Sequence, residues 1–298
     1  MSPPQKRGGT DREAKRGADA EVSESVARND SPSGKKRKRY PVETPTRGAH
    51  LTETSLDPPR FSGAGVALLA AFRKKCVLRP KQFFVAWSGV LTLAWSGFPP
   101  EIEALKRDIG IIHPALKPEN PGSRWAKTTL GCLRDFKRLT PDRLRLLGEI
   151  CDMYLDELLG ELSQGVPVDA LSLVTYECRS LERYVSEHVV RLDDAKRPTG
   201  RDYDPPSAAE LAVVDRVVAQ FSNPSLDAER YFFDAARDGS RESHYRGTKL
   251  GATLVARVGD VLPSAVKRFK RRVDDALPGM YAWFDQESLH CTVRGLMD

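Results

Sequence analysis

The last 19 residues, Met280–Asp298, constrain the fold more than any other stretch of this 298-residue chain. Two runs of β-forming residues, MYAWF and LHCTVRGL, flank the polar segment 285–288, which is typical of two strands joined by a tight connection. Because side chains alternate between the two faces of a strand, His290, Thr292 and Arg294 are predicted to share one face. The apolar residues between them are predicted to enter a core.

The polar face of the second strand carries groups that suit a phosphate. An imidazole can donate or accept a proton near neutral pH, and a guanidinium binds phosphate oxygens. The His-x-Thr pattern of His290 and Thr292 resembles half of the signature of the 2H phosphoesterases, a family of RNA-ligase-like and cyclic-nucleotide phosphodiesterases. The resemblance implies that His290 is a general acid or base, that Thr292 bonds a phosphate oxygen and that Arg294 offsets charge. It also implies base stacking on Tyr281 or Trp283.

The elements before this pattern extend the resemblance over roughly residues 250–298. A strand-like run at 251–258 precedes a helix predicted from about Pro263 to Leu277. The family carries two His-x-Thr motifs on symmetry-related strands, and their histidines alternate as acid and base around one phosphate. The other match here, at His50, lies in a Pro- and Thr-rich stretch and is interpreted as a coincidence. The resemblance therefore implies metal-free chemistry on cyclic phosphates or RNA termini. It also implies a fragment or degenerate form that is inactive alone, completed by a longer chain or by a dimer.

Further basic residues accompany this C-terminal segment. His244 and Arg246 lie in a predicted polar loop at 238–247, where they either assist a phosphate site or are simply exposed. The outer face of the predicted helix is basic. It is either a solvated charged surface or a surface that attracts RNA. Its residues are Lys267, Arg268, Lys270, Arg271 and Arg272.

The middle of the chain, residues 61–192, is predicted to be helical. The uncharged run Phe83–Phe98 is shorter than the roughly 20 residues of a membrane span, so it is interpreted as a buried helix or helix pair. A short helix is predicted at Thr129–Phe136, and a longer one starts at Thr140-Pro141. Apolar residues from Leu171 to Leu192 recur at steps of three and four, which predicts a packed helical seam. His188 lies on that seam and is interpreted as a packed structural histidine.

The first 60 residues are predicted to be a disordered tail, since they contain few large apolar side chains. They hold 13 Lys and Arg against 9 Asp and Glu, which is most of the chain's net charge of +6. A compact basic cluster indicates either a nuclear localisation signal read by an import receptor or a solubilising tail. Its members are Lys35, Lys36, Arg37, Lys38 and Arg39. The predicted location is the nucleus or the cytoplasm.

The five cysteines form no CxxC pair, so free thiols in a reducing compartment are expected, with no metal and no cofactor. The patterns together predict an α+β fold with a helical domain at 61–192, a linker at 193–206 and an incomplete strand–helix–strand unit at 207–298. A helix is also predicted at 207–221, and another from about Leu226 to Ala236. Two functions remain open: a phosphodiesterase acting on RNA or nucleotide phosphates, and a non-enzymatic nuclear interaction or nucleic-acid-binding protein.

Overall fold

A computed structural model describes residues 74–119, 123–192, 203–221 and 240–297. Within these ranges the chain forms ten strands and six helices. The strands are β1 (Cys76–Leu78), β2 (Pro80–Ala86), β3 (Val90–Trp95), β4 (Lys127–Leu133), β5 (Val166–Val168), β6 (Ala170–Tyr176), β7 (Tyr184–Arg191), β8 (Gly251–Arg257), β9 (Tyr281–Trp283) and β10 (His290–Met297). The helices are α1 (Pro100–Ile112), α2 (Pro141–Met153), α3 (Leu155–Glu161), α4 (Ala208–Phe221), α5 (Glu242–Arg246) and α6 (Ser264–Ala276).

Eight of the strands form one antiparallel sheet. Its order is β2-β3-β4-β10-β8-β6-β7, and β9 pairs with the end of β4. β1 and β5 form a separate two-stranded ribbon. Strands from both sides of the predicted linker, such as β6 and β8, are direct neighbours in the large sheet.

Helices α1, α2, α3 and α6 pack against one face of this sheet. α1, α2 and α6 each contribute an apolar stripe at helical spacing to the main core, for example Phe269 and Val273 from α6, and α3 contributes Leu158. The ring of Phe269 stacks on Phe83 of β2 with 4.2 Å between centroids. Burial of one such ring stabilises the fold by about 1.5–3 kcal/mol. This face is the buried side of the sheet.

Helix α4 covers the opposite face, but only over β2 and β3. Its Val214 and Val218 pack with Phe84 and Trp125 in a second, smaller core. Glu210 of the same helix accepts a hydrogen bond from the backbone N–H of Phe98 at 3.0 Å. The face over β4, β10, β8 and β6 is left for the site described below.

The predicted fold class, with its mainly helical middle domain, is wrong. Phe83–Phe98 is a β-hairpin, in which Phe83 and Phe84 enter the two different cores. A strand buried on both faces reads as a continuous apolar run, and periodicity alone does not separate it from a buried helix.

The predicted seam at 171–192 is the hairpin of β6 and β7. Its apparent helical spacing joins residues of two strands across a turn. His188 is exposed on β7, the last strand of the sheet, so the packed structural role predicted for it is wrong. The helix predicted at Thr129–Phe136 is also wrong, because β4 continues to Leu133 and a turn follows.

Other predicted elements are confirmed. Thr140 caps α2, its hydroxyl accepting a hydrogen bond from the backbone N–H of Arg143 at 3.3 Å. The helices predicted at 207–221 and 263–277 and the strands at 251–258 and in the C-terminal segment are present as α4, α6, β8, β9 and β10. The tail, its basic cluster, the helix at 226–236 and most of the linker lie outside the described residues. Among the described helices, none has the length and apolar character needed to cross a membrane.

Candidate functional site

The uncovered sheet face contains a cavity of about 240 Å³. Four nitrogen-bearing side chains line it: Lys127, Arg179, His244 and His290. Eight hydroxyl-bearing side chains line it as well: Ser123, Thr129, Tyr176, Ser180, Tyr245, Thr253, Ser288 and Thr292. Among these described lining residues there is no carboxylate, so the cavity has the hydrogen-bond donors and positive charge that suit an anion.

The cavity is centred on the pairing of β4 with β10. These strands are antiparallel, with Thr128 opposite Cys291. Both residues of this central pair turn to the buried face: Cys291 is fully buried, and Thr128 accepts a hydrogen bond from Trp95 Nε1 at 3.0 Å. Because side chains alternate along a strand, the neighbours of the central pair project to the cavity side.

Those neighbours form two equivalent halves. β4 contributes Lys127 and Thr129, and β10 contributes His290 and Thr292. The antiparallel register sets Lys127 opposite Thr292 and Thr129 opposite His290, with facing Cβ atoms about 5 Å apart. A Lys-x-Thr strand and a His-x-Thr strand are thus related by a local two-fold axis around one cavity.

His290 is held in one tautomer. Its Nδ1 lies 2.7 Å from the carbonyl oxygen of Ser288, and because a carbonyl only accepts, Nδ1 carries the proton. Nε2 is then the basic nitrogen. Burial lowers the pKa of His290 to about 4, against the opposing effect of the Ser288 hydrogen bond, and the nearby charge of Arg257 lowers it further. The imidazole is therefore neutral at pH 7 and able to accept a proton.

Lys127 has complementary properties. Burial lowers the pKa of its ammonium group from 10.5 to about 8. Its Nζ lies 4.4 Å from the centroid of the Trp125 ring, a cation–π contact. At neutral pH most Lys127 side chains are protonated, and the lowered pKa makes the proton easier to release.

Helix α5 supplies another wall of the cavity through His244 and Tyr245. The hydroxyl of Tyr245 is hydrogen-bonded to Thr129. The carboxylate of Asp135 accepts hydrogen bonds from the backbone N–H groups of Arg241 at 2.6 Å and Ser243 at 3.0 Å. These contacts fix α5 against the end of β4.

Arg246, predicted to bind substrate, does not line the cavity. Its guanidinium donates to Glu182 at 2.7 and 2.8 Å, to Glu242 at 2.7 Å and to the carbonyl of Trp283 at 2.8 Å. The hydrogen bond to Glu182, and secondarily that to Glu242, raises the pKa of Arg246. This residue ties α5 to the turn between β6 and β7 and does not face the cavity.

Arg294 is also displaced from its predicted face. The register of β10 against β8 shifts between Thr292 and Arg294, a β-bulge that interrupts the alternation. Arg294 is consequently buried on the other side, where it donates to Glu119 at 3.4 Å and to the carbonyl of Lys117 at 3.2 Å. The prediction that it shares a face with His290 is wrong.

The two aromatic residues predicted to stack a base also lie away from the cavity. Tyr281 is 2% exposed and stacks on Trp283 with 5.5 Å between ring centroids. Trp283 donates from Nε1 to Asp274 of α6 at 2.8 Å. Lys270 of the same helix lies over its ring. Both rings therefore belong to the buried face.

Of the seven predicted site residues within the described ranges, the cavity brings together His290, Thr292 and His244. Lys127 and Thr129 were not among the predicted site residues. Their strand was not recognised, because Thr129–Phe136 was predicted to be a helix, whereas β4 occupies Lys127–Leu133. Comparison with family models, with curated proteins and with solved structures found no match to this chain.

Proposed function

We propose that this chain is a metal-independent phosphodiesterase of the 2H type, acting on cyclic phosphates or RNA termini, in which a lysine occupies the place of the second histidine. The observation that carries the proposal is the two-fold arrangement of Lys127-x-Thr129 and His290-x-Thr292 around one cavity. The family resembled by the C-terminal strand uses two such motifs around one phosphate. The absence of carboxylates among the described lining residues supports an anionic ligand.

The proposed reaction is opening of a 2′,3′-cyclic phosphate by water. His290 Nε2 accepts a proton from the attacking water as its oxygen bonds to phosphorus. Lys127 Nζ donates a proton to the ribose oxygen as the P–O bond to that oxygen breaks. The hydroxyls of Thr129 and Thr292 donate to the non-bridging oxygens. The product is a phosphomonoester. At the end of the reaction His290 is protonated and Lys127 is neutral.

Each catalytic residue has the ionisation state that this reaction requires. A base with a pKa of about 4 is free of its proton at pH 7, and an acid with a pKa of about 8 still carries one. Lysine, unlike histidine, is mostly charged at this pH, so it also attracts the phosphate. The asymmetry assigns the base to His290 and the acid to Lys127 during ring opening.

The test is hydrolysis of a 2′,3′-cyclic mononucleotide by the wild type, His290→Ala and Lys127→Met. Loss of general acid–base catalysis typically lowers the rate by about 10²–10⁴-fold, and this is expected for each variant. Lys270→Met is the matched control, because burial also lowers the pKa of Lys270 to about 8 on the opposite face. The proposal fails if the wild type is inert, or if the control loses activity as the site variants do.

A non-catalytic nucleic-acid-binding function is the second candidate, since the same cavity suits a phosphate that is bound without reacting. It is favoured if the wild type binds an RNA terminal phosphate, loses that binding in Lys127→Met and shows no hydrolysis.

A further inference from the structure

The turn that follows β4, residues Arg134–Arg138, presents an aromatic side chain in an unusual way. Phe136 is 80% exposed, and its backbone lies in the left-handed region with φ of 63°. A phenylalanine is unfavourable in both respects, because its ring remains in water and its Cβ crowds a left-handed backbone. Neither burial nor chain geometry explains why this residue stands here.

The residues around Phe136 are mostly basic, and the segment Arg134–Arg138 is called the basic turn below. Arg134, Lys137 and Arg138 are all exposed. The one acid of the turn, Asp135, has its carboxylate on the backbone N–H groups at the start of α5. Arg134 is 3.5 Å from Glu242 in the same helix. Lys137 and Arg138 directly follow Phe136 and place two exposed basic side chains next to its ring.

The basic turn directly follows β4, one of the two strands on which the cavity is centred. β4 leads from Lys127 and Thr129 directly to the turn, and seven residues of chain from Thr129 to Phe136 span at most about 23 Å. Asp135 fixes the turn to α5, whose Tyr245 lines the cavity and is hydrogen-bonded to Thr129. Cavity and turn are thus held in a fixed relation, within reach of a short oligonucleotide.

We propose that the basic turn binds the single-stranded nucleotides that flank the phosphate held in the cavity. The ring of Phe136 stacks on a base, and Lys137 and Arg138 contact backbone phosphates. An exposed aromatic ring between cationic side chains is the combination that binds single strands without sequence preference. This inference rests on the proposed function for the bound terminal phosphate, and it makes the substrate a polynucleotide terminus, distinct from a free mononucleotide.

The basic face of α6 provides a charge-matched control. Lys267, Arg271 and Arg272 are exposed there, while Arg268 is paired with Glu157 and Glu161. This helix packs on the buried face of the sheet, away from the cavity. A general attraction of RNA to positive charge predicts equal effects at the two places, whereas the proposed contact predicts an effect at the turn alone.

The experiment measures the affinity of a short, fluorescently labelled single-stranded RNA with a 3′-terminal phosphate by fluorescence anisotropy at several salt concentrations. Phe136→Ala is expected to weaken binding on the order of tenfold, and Phe136→Tyr to retain it. Lys137→Gln/Arg138→Gln is expected to weaken binding and to lower the salt slope by about 1.4, since each phosphate contact on a single strand contributes about 0.7. Arg271→Gln/Arg272→Gln is expected to leave both quantities unchanged.

A mononucleotide assay separates this inference from the proposed function. Phe136→Ala is expected to hydrolyse the 2′,3′-cyclic mononucleotide at the wild-type rate, since its ring is outside the cavity. Wild-type affinity of Phe136→Ala for the RNA, or equal losses in the turn and α6 double variants, overturns the inference even when hydrolysis is normal. If hydrolysis is absent and Phe136→Ala alone weakens RNA binding, the proposed function fails and the binding surface stands.

Discussion

Replacing Lys127 with methionine is expected to make the protein more stable. Burial lowers the pKa of this lysine from 10.5 to about 8, so its charged form is less favourable in the folded chain than in the unfolded one. Methionine has a similar length and no charge to remove from water. The increase in the free energy of unfolding of Lys127→Met therefore measures how much the charged ammonium group destabilises the wild-type fold.

The magnitude follows from the pKa. The fall in pKa from 10.5 to about 8 corresponds to about 3.4 kcal/mol, because one pKa unit is about 1.36 kcal/mol. The cation–π contact with Trp125 returns about 1 kcal/mol to the wild type. The expected net gain for Lys127→Met at pH 7 is therefore about 2 kcal/mol.

The pH dependence gives the sign an independent check. The ammonium group destabilises the wild type fully below pH 8, where it is charged in both states. The effect shrinks as pH rises from 8 to 10.5, where only the unfolded chain remains charged, and vanishes above that range. The stability advantage of Lys127→Met should therefore be largest at pH 7 and small at pH 10.5.

Urea denaturation at pH 7, 9 and 10.5 measures this advantage, with Lys270→Met as the matched variant. Lys270 has a pKa lowered to about 8 by burial and lies 5.5 Å from the Trp283 ring, so a similar gain is expected without loss of phosphate binding. A Lys127→Met variant that is less stable than the wild type at pH 7, or whose advantage does not change with pH, refutes the reasoning.

Three further predictions follow from the same contacts. The pH profile of kcat/KM for cyclic-phosphate hydrolysis should be bell-shaped, rising near pH 4 as His290 loses its proton and falling near pH 8 as Lys127 does, and Lys127→Met should lack the alkaline limb. Arg246→Ala should lower the free energy of unfolding in urea by about 3 kcal/mol, because it leaves the nearly buried Glu182 carboxylate without its ion-pair partner. Phe136→Gly should stabilise the fold by about 1 kcal/mol, because glycine removes the Cβ that crowds a left-handed backbone. The midpoint of thermal unfolding should therefore rise, and a lowered midpoint contradicts this.

The C-terminal segment could be predicted because its pattern is local. β10 has one cavity face and one buried face, so its side chains alternate in polarity, and α6 has one apolar stripe. Each of these elements is half-buried, and half-burial imposes the period of the element on the sequence. The bulge after Thr292 could not be predicted, since the same residues read as unbroken alternation, and it moved Arg294 to the other face.

The other half of the site could not be predicted for a different reason. β3 and β4 are central strands with residues buried on both faces, so their sequences lack the alternation that identifies a strand. Lys127 and Thr129 acquire their meaning only when β10 pairs with β4, more than 150 positions away in the chain. The spacing of residues within either strand does not indicate which strand it pairs with or in which register.

Several residues that break local rules lie in the cavity or in the turn that follows β4. Among the described residues, three other than glycine have positive φ; Leu181 lines the cavity, and Phe136 lies in the turn that follows β4. Lys127 and His290 are half-buried ionisable groups with lowered pKa values in the same cavity. Each of these features opposes folding, so their coincidence at one place is difficult to attribute to packing. It is expected of a surface where charge and strain serve a ligand. If the cavity had only a structural role, Lys127→Met and Phe136→Gly together would produce a more stable protein that binds RNA as the wild type does.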